Sequence, residues 1–108
     1  MTTDRNNPDL NRIVDDPFSP RFGQQETYLI LSEEERAKGF VRPVRQKYKH
    51  LKCGSVTTMG LAIAETYARD PSFYGGTMCV NCQTHFRLKN EDGTPAFLWE
   101  PDGSPVGD

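Results

Sequence analysis

Two short motifs constrain this chain more than any other feature. His50-Leu51-Lys52-Cys53 is an H-x2-C pair followed at once by Gly54, and Cys79-Val80-Asn81-Cys82 is a C-x2-C pair. Between them lies a helix-like run with no further Cys or His. Two residues between ligands let one tight turn aim both at an ion, and three thiolates with one imidazole suit a closed tetrahedral zinc site. Gly54 permits the turn that brings backbone N–H groups towards the Cys53 sulfur. The expected ligands are therefore His50, Cys53, Cys79 and Cys82, and the expected ion is Zn2+. His85 competes with His50, because Cys79, Cys82 and His85 read as C-x2-C-x2-H. Knuckle spacing favours His50, since His85 needs the outgoing strand to turn back on the ion.

Composition explains why such a chain needs a metal. Only 35% of its 108 residues are hydrophobic, and mean hydropathy is -0.69. A small domain of this kind buries a modest fraction of its surface and relies on a staple. Three cysteines cannot all pair within the chain. No stretch reads as a signal peptide or a membrane span, so the expected setting is a reducing cytoplasm, where metal ligation is favoured over disulfides.

Residues 1–27 are polar and proline-containing, with Ile13, Val14, Phe18 and Phe22 as their main apolar groups. Such a segment cannot offset its ordering entropy by burial. It reads as a flexible arm ahead of a metal-stabilised domain over 28–108, with Ile13, Val14 and Phe18 available to anchor on a partner. Ser32-Glu33-Glu34-Glu35 fits a capping box, and Gly39 suits the residue after a helix end, which predicts a short helix over 33–38. Alternation from Val44 predicts a strand over 44–50, with Val44, Gln46, Tyr48 and His50 on one face and Arg45, Lys47 and Lys49 on the other. The next helix spans 58–69, capped by Thr57 or Thr58, with a stripe of Met59, Ala62, Ile63 and Thr66. Glu65 and Arg69 stand at i and i+4 and can pair on its surface. Strands over 83–88 and 96–100 flank a turn and predict a C-terminal β-hairpin, with Val106 closing a last short pairing. The expected fold is a small α+β, zinc-ribbon-like domain, with one main helix inserted between two zinc knuckles.

Net charge is -2, but its distribution is uneven. Residues 40–53 carry Arg42, Arg45, Lys47, Lys49 and Lys52 and no acid, between acidic ends. A stripe of this kind can contact phosphate, with Tyr48 or Phe40 for stacking, or can guard a strand edge. These five cations are the expected nucleic-acid or partner-binding residues. Catalysis has less support. The nucleobase-deaminase signature H-x-E with P-C-x-x-C fails, because Lys52 stands where the glutamate belongs and Met78 where the proline belongs. Four available ligands also fill the coordination that a catalytic zinc leaves open. No residue is assigned a catalytic role.

The run from Ser32 to Arg45, the Tyr48-x-His50-x2-Cys53-Gly54 segment, Met59–Pro71, Cys79-x2-Cys82-x2-His85-Phe86 and the Phe97-Leu98-Trp99 end resemble small uncharacterised proteins of tailed bacteriophages and prophages. The similarity runs from about Leu31 onwards. It implies a phage accessory protein acting in the host cytoplasm and supplies no activity. Both histidines fit its pattern. The expected function is a structural-zinc module that engages a host protein or nucleic acid. A metal-dependent enzyme acting on nucleic acid and a minor virion component are the alternatives.

Overall fold

The computed structural model describes residues 1–108, the side chain of Asn11 excepted. Two small antiparallel sheets and one main helix surround a shared aromatic core. Strand β1 (Lys47–His50) is central in the first sheet, between β2 (Val56–Thr58) and β5 (Phe97–Trp99). Strands β3 (Gly76–Cys79) and β4 (Thr84–Arg87) form the second. The alternation read from the sequence holds only from Lys47 onwards: Tyr48 and His50 are buried while Lys47 and Lys49 face outward, whereas Val44 and Gln46, expected on the buried face, lie before the strand and are exposed. In register, Tyr48 lies between Thr57 and Trp99, and His50 opposite Phe97. The core gathers Tyr48, Met59, Ala64, Tyr67, Leu88, Phe97, Trp99 and Val106.

The short helix α1 (Glu33–Ala37) forms as its sequence predicts. Ser32 accepts a hydrogen bond from the Glu35 amide, and Gly39 takes φ +104° just beyond the end. The main helix α2 (Leu61–Arg69) starts later than expected. Thr57 and Thr58 are committed to β2, so Gly60 stands at the N-cap with no side-chain cap. Its buried residues are Ala64, Thr66, Tyr67 and Ala68; of the predicted stripe Met59 and Thr66 are buried and Ile63 packs on the core, while the burial of Tyr67 was not expected. Glu65 and Arg69 do not pair with one another. Glu65 bonds Arg36 at 2.9 Å and Arg69 reaches Glu35 at 3.4 Å, which links the two helices.

The expected C-terminal hairpin is made only at its base. Lys89 bridges Pro95, and the Ala96 amide donates to the Leu88 carbonyl. Beyond that point the chain departs from β4, because Phe97 and Trp99 bury against Tyr48 when β5 pairs with β1. β4 instead pairs with β3 across the second knuckle. Val106 closes the end as predicted, its amide donating to Phe97.

Residues 1–27 lie along this body. They include a 3-10 turn at Pro8–Asn11 and bridges joining Thr2 to Leu29 and Ile13 to Gln25. Gly23, at φ +85°, brings its backbone so close to the Gln83 carbonyl that a Cβ there would lie 2.0 Å from the oxygen. Among the three expected anchors, Phe18 is 94% exposed and Ile13 is also exposed.

Arg45 departs most from expectation. It is buried rather than aligned with Lys47 and Lys49. Its guanidinium lies 4.8 Å from the Trp99 ring centroid, bonds Asp102 at 2.9 Å and donates to the Ser104 hydroxyl. A planar cation over an aromatic face is attractive, and the flanking Asp102–Ser104 turn supplies acceptors that outweigh strand periodicity. Ser104 and Arg45 hold the Asp102 carboxyl below its usual range. A depressed carboxylate pKa contributes stability above the unfolded value of about 4 and loses it as pH falls through the folded value. Arg45→Ala is expected to cost about 2 kcal/mol near neutral pH, lowering Tm by about 10 °C. Thermal melts of both metal-loaded proteins at pH 7 will check this, above the pH at which protonation of the thiolate and imidazole ligands would release the ion.

Candidate metal centre

The four expected ligands converge. One ligand atom from each of His50, Cys53, Cys79 and Cys82 lies within 4.8 Å of the others. The Cys53 sulfur is 3.3 Å from His50 Nδ1 and 3.5 Å from the Cys79 sulfur, and Cys82 is 3.7 Å from the same Nδ1. Metal–sulfur bonds of about 2.3 Å with a metal–nitrogen bond of about 2.0 Å give a tetrahedron whose edges are about 3.5–3.8 Å. Three separations lie close to such an edge and the full spread reaches 4.8 Å, so the four donors form a cluster that could close on one ion.

Each ligand pair is built the same way. β1 ends at His50 and β3 ends at Cys79, so both strands deliver a buried ligand at their last residue. The chain then turns, and Cys53 or Cys82 returns as an exposed second ligand. The next residue enters the left-handed region in both turns, with Gly54 at φ +75° and Gln83 at φ +54°. Gly54 donates to the His50 carbonyl at 2.7 Å and Gln83 to the Cys79 carbonyl at 2.8 Å. Gln83 is the only non-glycine residue with positive φ among those described. The sequence points to Gly54 but not to Gln83, although both stand one residue past the second ligand of a pair.

Aromatic packing fixes the imidazole. The His50 ring sits 4.7 Å from Phe97, nearly parallel, and 4.5 Å from Phe86. This clamp turns Nδ1 towards the sulfurs. His85 is elsewhere: its Nε2 meets the Tyr28 hydroxyl at 3.2 Å, and burial pushes its pKa down.

The thiols are poised unequally. A backbone hydrogen bond from Ser55 leads the effects that hold Cys53 down to about 6, with Cys79 and His50 contributing. Cys82 is pushed up to about 11, first by desolvation and then by the neighbouring Cys79 and Cys53 sulfurs. Crowded sulfurs resist becoming thiolates together, and a bound cation removes that conflict.

The cations divide. Lys47, Lys49 and Lys52 are exposed on and beside β1. Arg42 is also exposed and donates to the Asp108 carbonyl at 3.3 Å. Arg45 takes no part, being held under Trp99 and Asp102. Tyr48 is also removed from any stacking role, since it is buried and donates to the Met78 carbonyl. Beside the ligand cluster runs an open groove of about 730 Å³, lined by Lys52, Phe86, Arg87, Lys89 and Glu91. Arg87 and Lys89 were not picked out from the sequence. Only the β3–β4 pairing, which carries them to the Lys52 turn, reveals them.

The chain matches no family model, and neither a curated protein nor a solved structure is significantly similar to it.

Substitutions at the two histidines separate their roles. His50→Ala is expected to abolish stoichiometric metal binding and most native structure. His85→Ala should keep one ion per chain and lose about 1 kcal/mol or less with the Tyr28 bond. Metal-to-protein ratios and amide spectra of both variants provide the check, and metal loss on His85→Ala alone would reverse the assignment.

Proposed function

We propose that the protein is a binding module in which a structural zinc ion holds a surface for nucleic acid. On this reading it serves a tailed bacteriophage or prophage as an accessory factor in the host cytoplasm. Three cysteines and one histidine clustered at one point favour zinc over harder ions. All four coordination positions come from the protein, which supports a structural ion. A catalytic reading lacks an obvious base, since Glu65 is paired with Arg36 and His85 with Tyr28.

The observation that carries the nucleic-acid reading is the grouping of cations beside the cluster. Lys47 and Lys49 line the outer face of β1, while Lys52, Arg87 and Lys89 border a groove that also presents Phe86. Lysines and arginines along a groove neutralise phosphates, and an aromatic ring offers a platform for a base. Glu91 in the same groove and the overall charge of -2 keep this footprint small. A host protein is the second reading, favoured by exposed Leu51 and Val56 among the lysines.

Fluorescence anisotropy with a labelled single-stranded oligonucleotide tests this directly. Neutralising about three phosphates predicts roughly 20-fold weaker binding at 200 mM than at 50 mM salt. The triple charge reversal Lys47→Glu, Lys49→Glu, Lys52→Glu should abolish binding while retaining the metal. An absence of binding at low salt would remove nucleic acid and leave the protein partner.

A further inference from the structure

The three cysteines of the ligand cluster differ in what can reach them. Cys53 and Cys82 are exposed, whereas Cys79 is fully buried at the end of β3. The Cys53 and Cys79 sulfurs lie 3.5 Å apart, although 26 positions separate the two residues in the chain. A disulfide needs about 2.05 Å, so the pair has to close by about 1.5 Å. Residues 51–54 are all exposed and outside the core, so a shift of the Cys53 turn displaces no core side chain. An accessible sulfur beside one that solvent cannot reach is the arrangement of an attacking and a resolving cysteine.

We propose that the cluster is a redox switch: hydrogen peroxide oxidises Cys53, and the Cys53–Cys79 disulfide that follows releases the ion while keeping the two sheets joined. This rests on the zinc reading above and not on nucleic-acid binding. The Cys53 thiolate attacks one peroxide oxygen, the O–O bond breaks, and hydroxide leaves as Cys53 becomes a sulfenic acid. The Cys79 thiolate then attacks the Cys53 sulfur, forming the S–S bond as the S–O bond breaks and a second hydroxide leaves. Two electrons pass from the two thiolates to the peroxide, and two protons from solvent turn the hydroxides into water. The donors left over are Cys82 and His50 Nδ1, 3.7 Å apart, and two protein ligands fall short of the three or four that hold zinc. The new bond runs from the turn after β1 to the end of β3, so it spans the junction at which the four ligands meet. A Cys79–Cys82 bond, by contrast, would stay inside one turn and tie the sheets no closer. The oxidised chain therefore holds together without metal, which the reduced chain does not.

Treating the full zinc-loaded chain with a stoichiometric amount of hydrogen peroxide tests this. Zinc release is read with a chromogenic chelator, free thiols by titration, and the cross-link by mass spectrometry of digested peptides. One zinc should leave per chain oxidised, one thiol should remain, and the peptides carrying Cys53 and Cys79 should be joined. A dithiol reductant with added zinc should restore the starting state. The oxidised metal-free chain should keep a cooperative melt that the reduced metal-free chain lacks. Cys82→Ser should still form the Cys53–Cys79 bond. Zinc retained after peroxide, a sulfinic acid with no disulfide, or a joined pair other than Cys53–Cys79 would overturn the switch and leave the zinc reading standing. A chain that neither carries zinc nor takes it up before any peroxide is added would overturn the zinc reading and the switch with it.

Discussion

Four soft donors reaching one point is the constraint on which the rest depends. His50 and Cys53 belong to the three-stranded sheet, and Cys79 and Cys82 to the two-stranded one. Across the same junction run a few polar ties, such as Tyr48 to Met78 and the Val80 amide to Thr57. Neither sheet is large enough to be stable alone, since two or three short strands bury little. An ion bound between their ends would convert two weak units into one, and its binding free energy would become folding free energy.

The aromatic core and the ligand set reinforce one another. Phe97 stacks on His50 and also packs against Tyr48, while Trp99 meets Tyr48 and Tyr67 edge-on. The residues that fill the core therefore also orient the imidazole. The exposed side of β1 is left free for Lys47 and Lys49 by the same alternation. Ligand cluster, core and cationic face are three consequences of one strand register.

Local signals in the sequence were legible where the deciding interaction was itself local. The H-x2-C and C-x2-C turns, the Ser32 cap and the in-out alternation from Lys47 to His50 each depend on residues within a few positions. What could not be read was decided by residues far apart. Arg45 obeys Trp99, Asp102 and Ser104 rather than its own strand period. Phe97–Trp99 chooses β1 over its neighbour β4 because the core lies there. Glu65 and Arg69 exchange partners with α1 because the helices pack together. The fourth ligand lay between these extremes, since spacing favoured His50 and only the Phe86–Phe97 clamp shows how its ring is aimed.

If one ion joins the two sheets, the fold should come and go with it. Thermal melting of the chain with bound zinc, before and after exhaustive chelation and again after zinc is restored, tests it most directly. One zinc per chain, loss of the cooperative transition on chelation, and its recovery on adding back one equivalent are the expected results. An unchanged melting curve in the metal-free protein would contradict it.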